Sequence, residues 1–300
     1  MLNKEVIPSL YYYATEDGAE YWLNMSSNPH YRFKSNSTRL IKRVASKIAA
    51  TVKEHVAGDG SIDLISLGSG DGEKDRTLLT KFIEVGTSSI TYYPLDISDT
   101  LLVECIKNVH GSAFDYKGVK TKAIIGDFID LQVLRSVYED RPSPNLFSVL
   151  GNTFGNTDEA QITEALQKAM YPGDFVLIEI NCDVDEVSEA EVNGARSFLT
   201  NEATLRYSCI PLEMLGFDID LNRVKVREED LSVFPCARSI ATLYNEVSLE
   251  GTTITDVRLA YDHRYPLEEF KGELAENLEV DVLLAEQYGN AAVVLARKAE

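Results

Sequence analysis

Short apolar segments alternate with amphipathic ones along the first 180 residues of the chain. Residues 62–67 form an apolar segment typical of a buried strand, and residues 78–83 carry apolar side chains at helical spacing. The same alternation predicts further strands over 89–96, 119–125, 146–150 and 175–180, and further helices over 37–56, 98–109 and 159–170. Strands that alternate with helices predict an α/β fold with a doubly wound, mostly parallel sheet.

This alternation stops after Asp183. Later segments predict loosely helical sequence over 184–198, a helical stretch over 212–217, antiparallel strands over 239–247 and 252–261, a helix over 266–277, and a terminal hairpin over 280–296. We therefore predict a core made of 37–183 and 262–300, which ends in an antiparallel strand. Residues 184–261 form an inserted α+β substrate lobe, and residues 1–36 form an N-terminal lid.

The charge of the chain limits its partners. Its 300 residues carry 48 Asp and Glu against 29 Lys and Arg, a formal net charge of −19, and the basic residues form no run. This argues against nucleic acid or an anionic membrane as a partner and favours a small cationic ligand.

The cysteines and the apolar runs predict the compartment. No Cys-x-x-Cys pair occurs among Cys105, Cys182, Cys209 and Cys236, so neither a metal site nor a disulfide framework is indicated. No run approaches the roughly 18 apolar residues of a membrane span. We expect a cytoplasmic protein with reduced thiols and no metal, either a monomer or a weak dimer.

A glycine loop joins the first predicted strand to its helix. Gly68, Gly70 and Gly72 lack the wider third interval of the dinucleotide fingerprint, and no Gly-Lys-Ser/Thr follows as in a phosphate loop. Asp71 and Glu73 would repel a pyrophosphate at this position. A cationic ligand without phosphate fits better, and S-adenosylmethionine carries both an ammonium and a sulfonium. An ordinary strand-to-helix turn is the alternative.

Polar residues also follow the next predicted strands. Asp96 ends the second strand, where an acid can accept both hydroxyls of an adenosine ribose, although a plain turn residue is the alternative. Asp127 and Phe128 follow the third strand and suit the amino group and ring of adenine. The loop over 151–156 follows the fourth strand and is dense in hydrogen-bonding groups. Because open α/β sheets bind ligands at the carboxyl ends of their strands, these residues predict one site.

The segment before the core is rich in aromatic residues. Residues 9–31 include Tyr13, Trp22 and Tyr31. These side chains either pack as a flap against the core or form a lid whose tyrosine hydroxyls point at a substrate.

Together these segments resemble the S-adenosylmethionine-dependent histidine Nα-methyltransferases of ergothioneine biosynthesis and their fungal relatives that methylate a prenylated tryptophan. The matching segments, in order, are 13–18, 28–31, 67–76, 93–98, 126–128, 150–156 and 172–174. The resemblance implies a class I methyltransferase fold with an inserted substrate lobe. It also implies S-adenosylmethionine as cofactor and an N-methylation of the kind found in secondary metabolism.

The resemblance further implies roles for single residues. Cofactor contacts are implied at Gly68, Ser69, Gly70, Lys74, Asp96, Asp127 and Phe128. A substrate pocket that holds the amine and carboxylate of an amino acid is implied at Tyr13, Tyr31 and Asn156. The family's Glu-x-Ser pair, which reads the imidazole of histidine, should fall near 260–263, where this chain has Ala-Tyr-Asp-His. We therefore expect a substrate other than histidine, with Asp262 and His263 as candidate readers of its side chain.

The expected reaction is an in-line displacement from a sulfonium to an amine, which requires alignment of the reactants rather than a strong base. We expect Asn156 and Tyr31 to orient the amine and Tyr13 to help close the site, as the catalytic residues. Two alternatives stay open: a nicotinamide-dependent oxidoreductase on a similar sheet, and a non-catalytic protein that binds S-adenosylmethionine or a partner.

Overall fold

The computed structural model describes residues 10–13, 16–28, 31–56, 60–111, 118–131, 144–182, 201–249 and 252–299. Its helices are α1 (Leu10–Tyr13), α2 (Glu16–Ser26), α3 (Arg32–His55), α4 (Glu73–Glu84), α5 (Asp99–His110), α6 (Glu159–Ala169), α7 (Glu202–Met214) and α8 (Leu267–Leu278). Its strands are β1 (Ser61–Leu67), β2 (Ser89–Asp96), β3 (Val119–Thr121), β4 (Ile124–Ile125), β5 (Asn145–Val149), β6 (Phe175–Cys182), β7 (Val224–Glu229), β8 (Arg238–Leu249), β9 (Thr252–Tyr265), β10 (Val280–Tyr288) and β11 (Ala291–Lys298). Short 3-10 turns cover Phe128–Asp130, Phe154–Asn156 and Leu221–Arg223.

The described strands join in one 11-stranded sheet. β1 lies parallel to β2 and β5, β6 lies parallel to β5, and β11 and β10 add an antiparallel pair beyond β6. The core order is therefore β3-β2-β1-β5-β6-β11-β10. This confirms the predicted doubly wound, mostly parallel sheet with its antiparallel terminal hairpin. The order reverses between β1 and β5, which is the switch point where such sheets bind ligands.

A second branch of the sheet leaves β6 at its carboxyl end. Asn181 and Cys182 pair in parallel with Arg264 and Tyr265 of β9, and β8 and β7 continue from β9 as antiparallel neighbours. β9 runs without a break across the predicted boundary between 261 and 262. The division into a core and a lobe stays a prediction.

Several predicted elements differ in extent from the observed ones. The helix predicted over 212–217 is α7, which begins earlier, at Glu202, and ends at Met214. Asn201 caps its start by accepting a hydrogen bond from Thr204 N at 2.9 Å. The third strand is split into β3 and β4, since the first piece pairs with residues 90–92 and the second with residues 95–96. The helical sequence predicted over 184–198 lies outside the described residues.

Apolar layers cover both faces of the sheet. On one face, α3 packs against β10 and β11 through the residues that its helical period predicted, Leu40, Ile41, Val44, Ile48 and Val52, each at most 3% exposed. On the other face, α6 and α8 pack against β1, β5 and β6. Each such side chain contributes roughly 1.5–3 kcal/mol by burial, so the strand ends between the layers are held firmly in place. Across the described ranges, none of the helices combines the length and apolarity needed to traverse a bilayer.

Candidate active site

The glycine loop is tied to the end of β2. Gly68 N and Ser69 N both donate hydrogen bonds to Leu95 O, at 2.9 and 3.1 Å, and Gly70 N donates to Asp96 Oδ2 at 2.9 Å. The loop glycines have φ of 66°, 54° and 68°. A Cβ on Gly72 would lie 2.7 Å from the Cys105 sulfur, so the loop can pass over α5 only without a side chain there. The turn therefore exposes backbone at the carboxyl edge of β1.

Asp96 anchors this loop and faces the same edge. Its Oδ1 accepts from Ser98 N at 3.0 Å and its Oδ2 from Gly70 N, and the side chain is 5% exposed. Burial raises the pKa of Asp96, against the opposing effect of these backbone hydrogen bonds. Each carboxylate oxygen keeps a further lone pair, so the group has the capacity to accept the two hydroxyls of a ribose.

The third and fourth strand ends meet the glycine loop. Asp127 accepts a hydrogen bond from Ile129 N at 3.0 Å and caps the turn that begins at Phe128. The Phe128 ring lies 3.8 Å, and the Thr153 methyl 3.3 Å, from the point that a Cβ on Gly68 would occupy. The structure thus brings the predicted cofactor loop, Phe128 and the loop over 151–156 together.

The acids of the glycine loop are paired with lysines of α3. Lys34 Nζ lies 2.8 Å from Asp71 Oδ2, and Lys42 Nζ lies 3.3 Å from Glu73 Oε1. Each lysine offsets part of the negative charge, so the loop repels a pyrophosphate less strongly than its sequence suggests.

Lys74 links the two loops through Glu179, a residue that the sequence reasoning missed. Lys74 Nζ donates to Glu179 Oε2 at 2.6 Å and to Ser37 Oγ at 3.0 Å, and Gly151 N donates to the same Glu179 oxygen at 2.6 Å. Glu179 is fully buried, and its Oε1 has no hydrogen-bond partner within the described ranges. A glutamate inside the apolar segment 175–180 was the available signal. One hydrogen of the Lys74 ammonium stays available for a ligand.

Asn152 is the centre of the hydrogen-bond network on the substrate side. Its Nδ2 donates to Asp262 Oδ1 at 2.7 Å and to Asn156 Oδ1 at 3.3 Å, and its Oδ1 accepts from Asn181 N at 2.8 Å. Asn152 has φ of 60°, an uncommon conformation for a residue other than glycine. Strained backbone of this kind is concentrated at functional sites. The structure therefore brings Asn156 and Asp262 together through a residue that the sequence reasoning did not single out.

Tyrosines close the site from the N-terminal side. The hydroxyls of Tyr13 and Tyr207 hydrogen-bond to each other, and burial raises the pKa of Tyr13 to about 12. Burial also raises the pKa of Tyr31 well above its usual range, with a further contribution from the charge of Asp262. Both hydroxyls therefore stay protonated near neutral pH. Tyr207, on α7, was not predicted, because nothing in the sequence indicated that α7 packs against Tyr13.

The aromatic segment provides both packing and cover. Tyr12 is 5% exposed and its hydroxyl donates to Leu259 O, as expected of a packed flap. Trp22 lies over the glycine loop, with its ring 3.1 Å from the point that a Cβ on Gly70 would occupy. Packing against the core is thus observed for this segment, and a lid whose tyrosine hydroxyls point at a substrate stays a prediction.

The expectation that His263 joins Asp262 at the site is corrected by the strand geometry. Adjacent residues of β9 point to opposite faces of the sheet, so His263 and Asp262 face different sides. The His263 ring is 2% exposed, with Nδ1 2.7 Å from Ser239 Oγ and Nε2 3.9 Å from Glu159 Oε2. Burial lowers the pKa of His263 to about 4. It is a neutral core histidine on the far side of the strand.

Comparison with known proteins agrees with this arrangement. Over residues 1–191 the chain matches the family described as histidine-specific, S-adenosylmethionine-dependent methyltransferases. It is 30% identical over 159 residues to the 4-dimethylallyltryptophan N-methyltransferase easF of Aspergillus fumigatus, and this match spans 52% of this chain and 44% of that relative.

Solved structures with a similar arrangement include two bacterial methyltransferases. One is the Burkholderia thailandensis 1,6-didemethyltoxoflavin-N1-methyltransferase with bound S-adenosylhomocysteine, at 10% identity and a TM-score of 0.47, covering 94% of this chain and 87% of that one. Another is the magnesium protoporphyrin IX methyltransferase of Synechocystis, at 8% identity and a TM-score of 0.46, covering 95% of each chain. By the match over residues 1–191, this chain belongs to the family of histidine-specific, S-adenosylmethionine-dependent methyltransferases.

Proposed function

We propose that this protein transfers the methyl group of S-adenosylmethionine to the amine of an amino acid or of a small molecule derived from one, other than histidine. The observation that carries the proposal is the contact between the two loops. Thr153, next to the Asn152 network, and Phe128 both approach Gly68 of the glycine loop. A cofactor at the glycine loop and an amine at Asn156 would therefore be neighbours.

The residues present fit this cofactor. Gly68 and Gly70 place backbone without side chains at the carboxyl edge of β1, Asp96 has free acceptor capacity for a ribose, and the Phe128 ring lies beside Gly68. Lys74 has one ammonium hydrogen left for a carboxylate. When bound, S-adenosylmethionine supplies an electrophilic methyl group on a positively charged sulfur.

Asn156 and Tyr31 are suited to orient the amine. The Oδ1 of Asn156 accepts one hydrogen bond from Asn152 Nδ2 and keeps a second lone pair, which can accept an N–H of the amine and leave the nitrogen lone pair free to attack. Burial keeps the Tyr31 hydroxyl protonated, so its oxygen accepts a hydrogen bond without acting as a strong base. Tyr13 completes the wall through its bond to Tyr207. These side chains hold the amine in line, which is the main requirement of the displacement.

The substrate proposal departs from the name of the family. That name specifies histidine, whereas the residues at 260–263 lack the Glu-x-Ser pair expected for reading an imidazole. The Aspergillus relative is named for a prenylated tryptophan, which supports an amino acid with a different side chain.

Cofactor binding and methyl transfer are tested separately. Titration with S-adenosylhomocysteine, followed by calorimetry and by the fluorescence of Trp22, the chain's single tryptophan, should show saturable binding. Transfer of a labelled methyl from S-adenosylmethionine is then screened over amino acids and biogenic amines. Asn156→Ala should lower turnover or raise KM with cofactor affinity nearly unchanged, and Asn222→Ala, on an exposed turn, is the matched control.

Each alternative predicts a different result. Cofactor binding without methylation of any compound would indicate a non-catalytic binding protein. Binding of NADH in place of S-adenosylhomocysteine would indicate the oxidoreductase. Turnover that is equal in Asn156→Ala and Asn222→Ala would remove Asn156 from the site.

The compartment and assembly belong to the same proposal. The strongly acidic composition supports an enzyme that works without nucleic acid, and we extend the proposal to a cytoplasmic monomer or weak dimer. Sedimentation velocity over a range of protein concentrations tests the assembly, and a stable higher oligomer would contradict it.

A further inference from the structure

Arg264 places a cationic group at the edge of the candidate site. It lies near the end of β9, where it pairs with Asn181 of β6. Its Nε donates to Asp262 Oδ2 at 3.1 Å, and the two side chains are 22% and 21% exposed. Its two terminal nitrogens make no hydrogen bond to any residue that the structure describes. A guanidinium has five N–H donors, so four of them are left for a ligand or water.

Neutralising Asp262 does not account for this arrangement. Asp262 already accepts hydrogen bonds from Asn152 Nδ2 at 2.7 Å and from Asn181 Nδ2 at 3.3 Å. An arginine that served only this carboxylate would gain most from a two-pronged contact, whereas Arg264 uses its Nε alone. The remaining donors are half-buried, and their partial desolvation is best offset by an anion that meets them in pairs.

The position of Arg264 relative to the amine site suits a small zwitterion. A Cβ on Gly155 would lie 2.8 Å from His263 O, so the turn that carries Asn156 is in contact with β9 just before Arg264. Asn156 and Arg264 each follow directly after one of the two residues that make this contact, so their backbones are close neighbours. Burial has the largest effect on the pKa of Tyr31 and raises this pKa. The negative charge of Asp262 raises the pKa further, and the positive charge of Arg264 lowers it. Tyr31 is thus within electrostatic range of both charges.

We infer that Arg264 binds the carboxylate of the substrate and so selects compounds that carry an acid group beside the amine; this inference rests on the proposed function. The carboxylate lies on the terminal nitrogens of Arg264, and the amine lies against Tyr31 and Asn156. Arg264 then selects substrates by their acid group, separately from the cofactor contacts.

Matched pairs of compounds that differ only in the carboxylate test this inference. L-tryptophan and tryptamine, L-tyrosine and tyramine, and L-histidine and histamine are titrated calorimetrically into protein saturated with S-adenosylhomocysteine. The variants are Arg264→Gln, Arg264→Lys and the control Arg238→Gln, whose side chain lies on β8 directly opposite and pairs with Glu228. Unchanged affinity for S-adenosylhomocysteine shows that each variant is folded.

In at least one pair the amino acid should bind about tenfold or more tightly than its amine, as expected for a charge-assisted pair of hydrogen bonds. Arg264→Gln should reduce this preference to less than about twofold, Arg264→Lys should retain part of it, and Arg238→Gln should leave it unchanged. With a methylated amino acid, Arg264→Gln should raise KM and leave kcat within a few-fold.

Three results would overturn the inference: amines that bind as tightly as their amino acids, a preference that survives Arg264→Gln, or no binding by any of the six compounds. The proposed function fails by different results, namely no binding of S-adenosylhomocysteine or no methylation of any amine. Methylation of amines regardless of a carboxylate would leave the proposed function standing and remove the role of Arg264.

Discussion

Replacing Asn152 by Asp tests whether this side chain holds the substrate side of the site together. Asn152 is 2% exposed and donates through Nδ2 to Asp262 Oδ1 at 2.7 Å and to Asn156 Oδ1 at 3.3 Å. A carboxyl group of the same shape keeps the bond from Asn181 N but loses both donated bonds. It also brings two carboxylate oxygens into contact where a hydrogen bond had been.

The expected loss follows from these contacts. The bond to charged Asp262 contributes about 1.5–3 kcal/mol and the bond to Asn156 about 1 kcal/mol. Asn152→Asp should therefore lower the free energy of unfolding at pH 7.5 by about 3 kcal/mol or more, or roughly 6 °C in Tm. Burial and the facing carboxylate raise the pKa of the introduced carboxyl above its unfolded value. The folded variant then binds more protons than the unfolded one between these values, so its deficit shrinks as pH falls.

Thermal and urea unfolding at pH 7.5 and pH 5.0 measure this deficit. Asn222→Asp is the matched control, because Asn222 Nδ2 also donates to a carboxylate, Asp220 Oδ1 at 2.9 Å, but on an exposed turn. It should cost less than about 1 kcal/mol, as for exposed polar contacts in general. Equal losses in the two variants, or an Asn152→Asp deficit that is the same at both pH values, would refute the reasoning.

The remaining predictions concern the cofactor loop and the core. Asp96→Asn should weaken binding of S-adenosylhomocysteine about tenfold by calorimetry, through the loss of charged acceptors, and an unchanged Kd would contradict its role. Gly72→Ala should lower the free energy of unfolding by more than Gly216→Ala does. Both glycines have positive φ, 68° and 83°, but only a Cβ on Gly72 would meet a neighbouring atom within 4 Å. Burial lowers the pKa of His263 to about 4, so the unfolded chain binds this proton first and the His263 contribution to stability should be lost as pH falls from 6.5 to about 4; wild type should therefore lose more stability over this range than His263→Gln does, and as much as His110→Gln does.

The sequence predicted what is encoded by contiguous segments. The β1 strand, the glycines after it and the helix after them are each local signals, and all were found where expected. The convergence of Asp96 on the glycine loop also followed from the sequence, since carboxyl ends of parallel strands lie at one edge of a sheet.

The sequence could not predict contacts that depend on long-range register. Asn152 and Asp262 are 110 residues apart, and the parallel pairing at the end of β6 brings them together. The same limit explains His263. A shift of one residue along a strand moves a side chain to the other face, so the sequence indicated that Asp262 and His263 were near the site without fixing which of them faces it.

The origin of each part of the candidate site fits the proposal that the chain shares a chemistry with its relatives and differs from them in substrate. The proposed cofactor side is built by strand ends within residues 1–191, the range that matches the family. The proposed substrate side is completed by β9, which lies beyond that range and is positioned by its pairing with Asn181 and Cys182. Under the proposed function, a substitution on β9 at Asp262 or Arg264 therefore changes what faces the substrate without disturbing the glycine loop or Asp96. Selection among substrates can then act on one strand while the methyl-transfer geometry stays fixed by the core.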